Sequence, residues 1–192
     1  EIVCRHEVLR TTFVESRGQP VQVLAGKLDV DLPVIDLSGL EKSERERQAQ
    51  DLTAEEAQQP FDLECGPLMR ARLLKLAPDE HIALVTMHHI VSDGWSMGVF
   101  AHEVAALYTA FVGRVEHALP ELAIQYADFA QWQREWLQGP VLERQMAYWK
   151  SQLASSPPML ELPTDRPRPA VQSSKGATVT FDLPQGLFRS LR

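Results

Sequence analysis

The 192 residues are 44% hydrophobic, enough to bury the core of one domain or one large lobe, and they carry a formal net charge of -7. An acidic chain with no Lys/Arg cluster interleaved with aromatics excludes the electrostatic footprint of a nucleic-acid binder. Cys4 and Cys65 sit in no CxxC spacing, which speaks against a disulfide framework or a zinc site. A reducing cytoplasm is the expected compartment, with no signal peptide and no apolar run long enough for a bilayer.

Thr11 to Glu15 and Pro20 to Leu24 are β-prone runs around Ser16-Arg17-Gly18-Gln19, a hairpin signal, and Val30 to Ile35 follows as a third extended piece. Ser43 with Glu46 three residues on forms an expected capping box, opening a charged helix that Pro60 ends. The thin stripe of this helix (Ala49, Leu52, Ala57) makes it peripheral. Leu68 to Leu76 and His81 to Ile90 read as a second hairpin. Its later strand, apolar on both faces, is expected to be central.

Ser96 to Val112 is expected as a helix burying Met97, Phe100, Val104, Leu107, Tyr108 and Phe111, stopped by Gly113. Ala123 to Gln138 is a second amphipathic helix whose Tyr126, Phe129, Trp132 and Trp136 are expected in the core. A third starts at Pro140 with the stripe Leu142, Met146, Trp149, Leu153, and Trp149 is expected in the core too. Leu162 to Gly176 reads as a linker, Ala177 to Leu183 as a strand, and Leu187-Phe188 as the opening of a further helix. Strands and helices mix without regular alternation, so the fold class is α/β, a sandwich rather than a doubly wound sheet. The start inside a structured pattern and the stop inside a helix give the expectation of a lobe cut at both ends.

Polar chemistry concentrates in Met87-His88-His89-Ile90-Val91-Ser92-Asp93-Gly94-Trp95-Ser96, between a strand and a helix, where α/β proteins place their sites. Adjacent histidines on a strand point to opposite faces, so one can face a cleft while the other packs. The same geometry argues against a metal held by His88, His89 and Asp93. Gly94-Trp95-Ser96-Met97-Gly98 fits G-x-S-x-G, the signature of a serine hydrolase using Ser96. However, several residues separate the serine from its strand, and a helix N-cap explains Ser96 better. His6, His81, His102 and His117 have no motif partners and read as surface or packing residues.

HHIVSDGWS resembles the HHxxxDG signature of nonribosomal peptide synthetase condensation domains, within the chloramphenicol acetyltransferase-like superfamily. Arg5-His6-Glu7-Val8-Leu9-Arg10-Thr11-Thr12-Phe13 resembles the family's RHExLRTxF element, and Tyr126-Ala127-Asp128-Phe129-Ala130-Gln131-Trp132-Gln133 its YxDFAxWQ element. Leu160 to Pro169 resembles the segment leading into the second half of such domains. The resemblance implies a chloramphenicol acetyltransferase-like α/β sandwich with residues 1–165 as the N-terminal lobe. Residues 166–192 would then be the crossover and the beginning of a C-terminal lobe.

The implied reaction is amide formation between aminoacyl or peptidyl thioesters, with His89 as the catalytic residue. His88, Asp93, Gly94, Arg5 and Arg10 would support the motif. By the same resemblance Asp93 forms a buried ion pair with Arg5 or Arg10, and Gly94 leaves room for substrate beside His89. No cofactor or metal is implied for this lobe, because the substrates arrive on phosphopantetheine arms. The implied partners are donor and acceptor peptidyl carrier domains, an adjacent adenylation domain and the C-terminal lobe, with no nucleic acid and no membrane. The intact histidine pair and the Trp95-Ser96 continuation resemble the ordinary type that accepts an L-configured donor. The 192 residues alone are not expected to be active. A carrier-docking lobe without catalysis is the alternative from another class.

Overall fold

The computed structural model describes residues 1–117, 119–157, 162–171 and 179–191. They fall into two compact units, 1–142 and 143–192. The expected boundary at 165/166 lies within the second.

The first unit opens with a short helix α1 (Ile2–Arg5) and a 3-10 turn (Glu7–Arg10), followed by strands β1 (Thr11–Ser16) and β2 (Gln19–Leu24). The hairpin registers Thr11 against Leu24 and Ser16 against Gln19. Its two-residue turn places Arg17 at φ 53° and Gly18 at φ 73°, the positive pair that matches strand twist in tight hairpins.

Strand β3 (Val34–Asp36) runs parallel to β4 (Met69–Ala77), with helix α2 (Lys42–Gln58) between them in the chain. This is a single βαβ unit in a sequence where no alternation was evident. Helix α2 begins after Glu41 with no side-chain cap, so the expected Ser43–Glu46 capping box does not form. Strand β5 (Glu80–Met87) returns antiparallel to β4, and the sheet order is β3-β4-β5. The expected central strand β5 is therefore an edge among the described residues, and β4 is central. The apolar residues on both faces of β5 misled, because Ile82 is exposed while Leu74 of β4 is wholly buried.

Two apolar clusters hold this unit. Leu9, Leu68, Met69 and Val91 pack with Phe13, Phe61, Met87 and Phe100. Leu37, Ala49 and Leu74 pack with Leu52 and Leu84 beneath α2. Removing a fully buried leucine such as Leu68 or Leu74 from water is worth about 2 kcal/mol. Gly66, at φ +64°, lies where an added Cβ would come within 2.9 Å of Thr12 Cγ2, so the loop into β4 requires glycine there.

Helix α3 (Gly94–Gly113) buries Glu103, Leu107 and Ala110 with Phe100 half-buried, whereas Met97, Val104, Tyr108 and Phe111 of the expected face are open. Arg114, at φ 54°, takes the left-handed capping position expected of Gly113. Helix α4 (Tyr126–Trp136) opens with the Asp128 carboxylate accepting from Gln125 N–H at 2.8 Å. Its Tyr126, Phe129, Trp132 and Trp136 form a ladder with centroid spacings of 5.9, 5.6 and 5.6 Å. All four are exposed, contrary to the expected core placement. Aromatic periodicity identifies one face of a helix but not what covers it.

The second unit begins inside helix α5 (Gly139–Leu153). Beyond α5 it contains helix α6 (Gln185–Ser190), as Leu187-Phe188 suggested. Trp149, expected in the core, is exposed and meets Tyr148 edge-on at 5.2 Å. Residues 162–171 carry no helix or strand, as expected of a linker. The expected strand 177–183 begins outside the described residues, and its described part, Val179 to Leu183, is not a strand.

Candidate active site

Strand β5 ends at Met87, so the two histidines stand on a turn and not on opposite faces of a strand. His88 N–H extends the ladder to Leu68 O at 3.0 Å. Val91 N–H then returns to His88 O at 3.0 Å and closes the turn. The two rings separate all the same. His88 is half-buried, with Nδ1 accepting from Ile90 N–H at 3.0 Å and its ring edge-on to Phe61. His89 is exposed, on the solvent side of the turn.

Asp93 ends the turn as the N-cap of α3. Its Oδ1 accepts from Ser96 N–H at 2.8 Å and from Ser96 Oγ at 2.7 Å. Hydrogen bonds from the Ser96 hydroxyl and amide, with Trp95 N–H and the nearby His89 adding less, hold the Asp93 carboxyl below its ordinary range. The buried ion pair with Arg5 or Arg10 is not formed, because Asp93 is exposed and both arginines are engaged elsewhere. The N-cap expected at Ser96 is Asp93 itself. The Ser96 hydroxyl donates to that cap, and no histidine among the described residues hydrogen-bonds to it, so the hydrolase arrangement is not assembled.

Arg5 Nε instead meets Glu103 Oε1 of α3 at 3.0 Å, and His6 Nε2 lies 2.6 Å from Glu103 Oε2. His6 is thus a partner in a buried network, not a solitary packing residue. Burial pushes the Glu103 carboxyl up, but hydrogen bonds from His6 and Arg5 outweigh it and hold the group below its ordinary value. Gln125 clamps the same segment, accepting from Glu7 N–H at 3.1 Å and donating to Arg5 O at 3.0 Å. Arg10 is turned to Glu7 Oε1 at 3.2 Å and to the carbonyl of Ala25. The RHExLRTxF element therefore acts as a hub joining α1 to α3 and to the start of α4.

Glu103 and Gln125 escaped the sequence reading. The signal for Glu103 was present: a lone carboxylate between Phe100 and Leu107 on an apolar helix face requires a cation, and Arg5 and His6 were at hand. A cleft of about 160 Å³ lies where this hub meets the motif, lined among others by His6, Leu9, Met87, Ser92, Trp95 and Phe100. Trp95 is 84% exposed at its rim. Among the described residues no group of three metal-ligating side chains stands together, and no helix is long and apolar enough to cross a membrane.

A family model described as Condensation domain matches residues 1–192. The chain is 50% identical over 190 residues to a component of the linear gramicidin synthase of Brevibacillus parabrevis, covering 99% of this chain and 4% of that protein. It is 49% identical over 192 residues to the malpibaldin synthetase of Mortierella alpina, covering 100% of this chain and 3% of that protein. Among solved structures, the starter condensation domain of rhizomide synthetase aligns with a TM-score of 0.72 at 25% identity, covering 82% of this chain and 37% of that one. The chain thus spans a small part of the synthetases it matches and about a third of the matched structure.

Proposed function

The chain belongs to the condensation-domain family and shares the chloramphenicol acetyltransferase-like α/β fold of its solved members, and on that premise we propose that it supplies the histidine wall of an amide-forming site. The acceptor's α-amine nitrogen bonds to the carbonyl carbon of the donor thioester, and the carbon–sulfur bond breaks. The amine proton passes to His89 and then to the departing thiolate. A thioester is already activated, and tethering both substrates to carrier proteins supplies proximity, so the protein needs chiefly one neutral imidazole within reach of the amine.

One observation carries this reading. In a chain matched by the family model throughout, the motif turn leaves His89 exposed while His88 is fastened behind it. Gly94 supports it, since a Cβ there would meet nothing within 4 Å. Packing among the described residues does not require glycine at that position, and in this reading it leaves substrate room beside His89. Carrier domains bringing thioesters on phosphopantetheine arms, and an adenylation domain that loads them, are the partners of this reading. The other lobe closes the site.

The test is made in the full-length synthetase with loaded donor and acceptor carriers, following the amide product by mass spectrometry. His89→Ala should lower condensation by ~10²–10⁴-fold, the typical cost of losing a general acid or base, with melting nearly unchanged. His88→Ala should instead lower stability. Wild-type turnover in His89→Ala would overturn the assignment.

A further inference from the structure

Behind the turn that presents His89, a continuous series of contacts leads back to a buried carboxylate on α2. Glu56 is 2% exposed, and its Oε1 accepts from Arg70 Nε at 2.7 Å. Arg70 Nη2 donates to the carbonyls of Glu56 and Gln59 at 3.3 and 3.0 Å, and Nη1 to Pro60 O at 3.2 Å. Four bonds from one planar fork leave the guanidinium a single orientation. Its carbon stands 3.9 Å from the centroid of the Phe61 ring. Phe61 in turn meets His88 with centroids 5.9 Å apart and planes at 86°. His88 Nδ1 takes the Ile90 N–H, so that nitrogen carries the lone pair and Nε2 the proton.

We propose that Phe61, pinned by Arg70, is a positioning residue for the site. It fixes the ring plane of His88, which keeps Nδ1 on the Ile90 amide and so sets the turn from which His89 projects. The inference rests on the reading of His89 given above. The physical need is plain: the terminal torsion of an imidazole is broad, and one hydrogen bond to a turn amide does not hold it. A perpendicular aromatic neighbour adds an orientation preference worth up to about tenfold in population, which an aliphatic wall of similar bulk lacks. Arg70 keeps Phe61 from following the imidazole if it turns.

Two substitutions in the full-length synthetase separate orientation from filling. Phe61→Leu keeps an apolar side chain, and Phe61→Tyr keeps the ring. Expected for Phe61→Leu is a kcat about tenfold lower at unchanged KM for loaded carriers, with cooperative unfolding retained. Hydrogen exchange at the Ile90 amide, followed by mass spectrometry, should accelerate by a similar factor. Phe61→Tyr should restore both. Arg70→Lys keeps the charge but not the fork, and serves as the second variant should Phe61→Leu not fold; the same two changes are expected of it.

Wild-type turnover and exchange in Phe61→Leu, or equal loss in the Leu and Tyr variants, would overturn the proposal and leave Phe61 as packing alone. If His89→Ala kept full turnover, the functional reading would fail, yet exchange at Ile90 would still decide whether Phe61 holds the turn.

Discussion

Helix α3 and its N-cap carry two carboxylates that solve the same problem in opposite ways. Asp93 sits in water at the first turn and is satisfied by its own helix, through the amide and hydroxyl of Ser96. Glu103 lies inside, with its side chain 7% exposed, and is satisfied by Arg5 and His6 from nearly a hundred residues away. Local amides suffice for a charge that keeps its water. A charge that loses its water needs a countercharge and further hydrogen bonds, and these can come from far along the chain. The cap that ends the motif turn is therefore locally made, while Glu103 ties the helix behind it to the N-terminal segment. The cation expected beside Asp93 is found ten residues further along the same helix.

The largest effect on stability should come from Glu103. Removing the carboxylate from this network leaves the Arg5 charge uncompensated and His6 without its hydrogen bond. Because both keep some water, with side chains 12% and 22% exposed, the loss should lie at the low end for such pairs. Glu103→Ala should cost about 3 kcal/mol in urea unfolding. Arg5→Ala added to Glu103→Ala should cost little more, because the partner is already gone. A loss no greater than the ~1 kcal/mol of a surface ion pair would show the network to be open to solvent.

A smaller effect is the pH dependence that follows from the same carboxyl. The folded-state pKa of Glu103 is lowered from its ordinary 4.5. Its contribution is thus fully present above that value and lost as pH falls through the folded pKa. Stability should decline below about pH 4.5 more steeply in the native sequence than in Glu103→Gln, which has no proton to gain there. Parallel acid limbs in urea titrations of the two proteins would separate Glu103 from the acid sensitivity of the chain.

How far the sequence revealed the structure follows the range of each interaction. The β1–β2 hairpin was legible because Arg17-Gly18 and the flanking runs contain all that makes it. The β4–β5 pair was legible for the same reason. The edge position of β5 among the described residues was not, since strand order depends on the parallel pairing of Val34–Asp36 with Leu73–Lys75, nearly forty residues away. The HHxxxDG motif marked the right turn, though the expected strand runs three residues too far. Its supports were mostly hidden: Glu56, Phe61 and Arg70 are unremarkable in sequence and reach His88 only through tertiary contacts. The aromatic row of α4 was seen as one face, yet nothing local could tell that it stands exposed.

The smallest effect is expected at Asp93, and it tests the contrast most directly. An exposed cap needs an acceptor oxygen, and whether that oxygen is charged matters little where water and salt screen it. Asp93→Asn keeps an oxygen for the Ser96 amide and should melt close to the native protein. Asp93→Ala loses the acceptor, leaves the first turn of α3 with an unsatisfied N–H, and should melt lower, though by clearly less than Glu103→Ala. The Asp93 carboxyl is held below its ordinary range mainly by the Ser96 hydroxyl and amide. The advantage of Asp over Asn should therefore be present above the ordinary value of 3.8 and fade as pH falls through the folded pKa. Thermal unfolding of the three variants side by side settles the order. If Asp93→Asn proved as damaging as Glu103→Ala, a charge and not an oxygen would be required at position 93. Asp93 would then hold a buried cation after all, and the two carboxylates of α3 would no longer differ in kind.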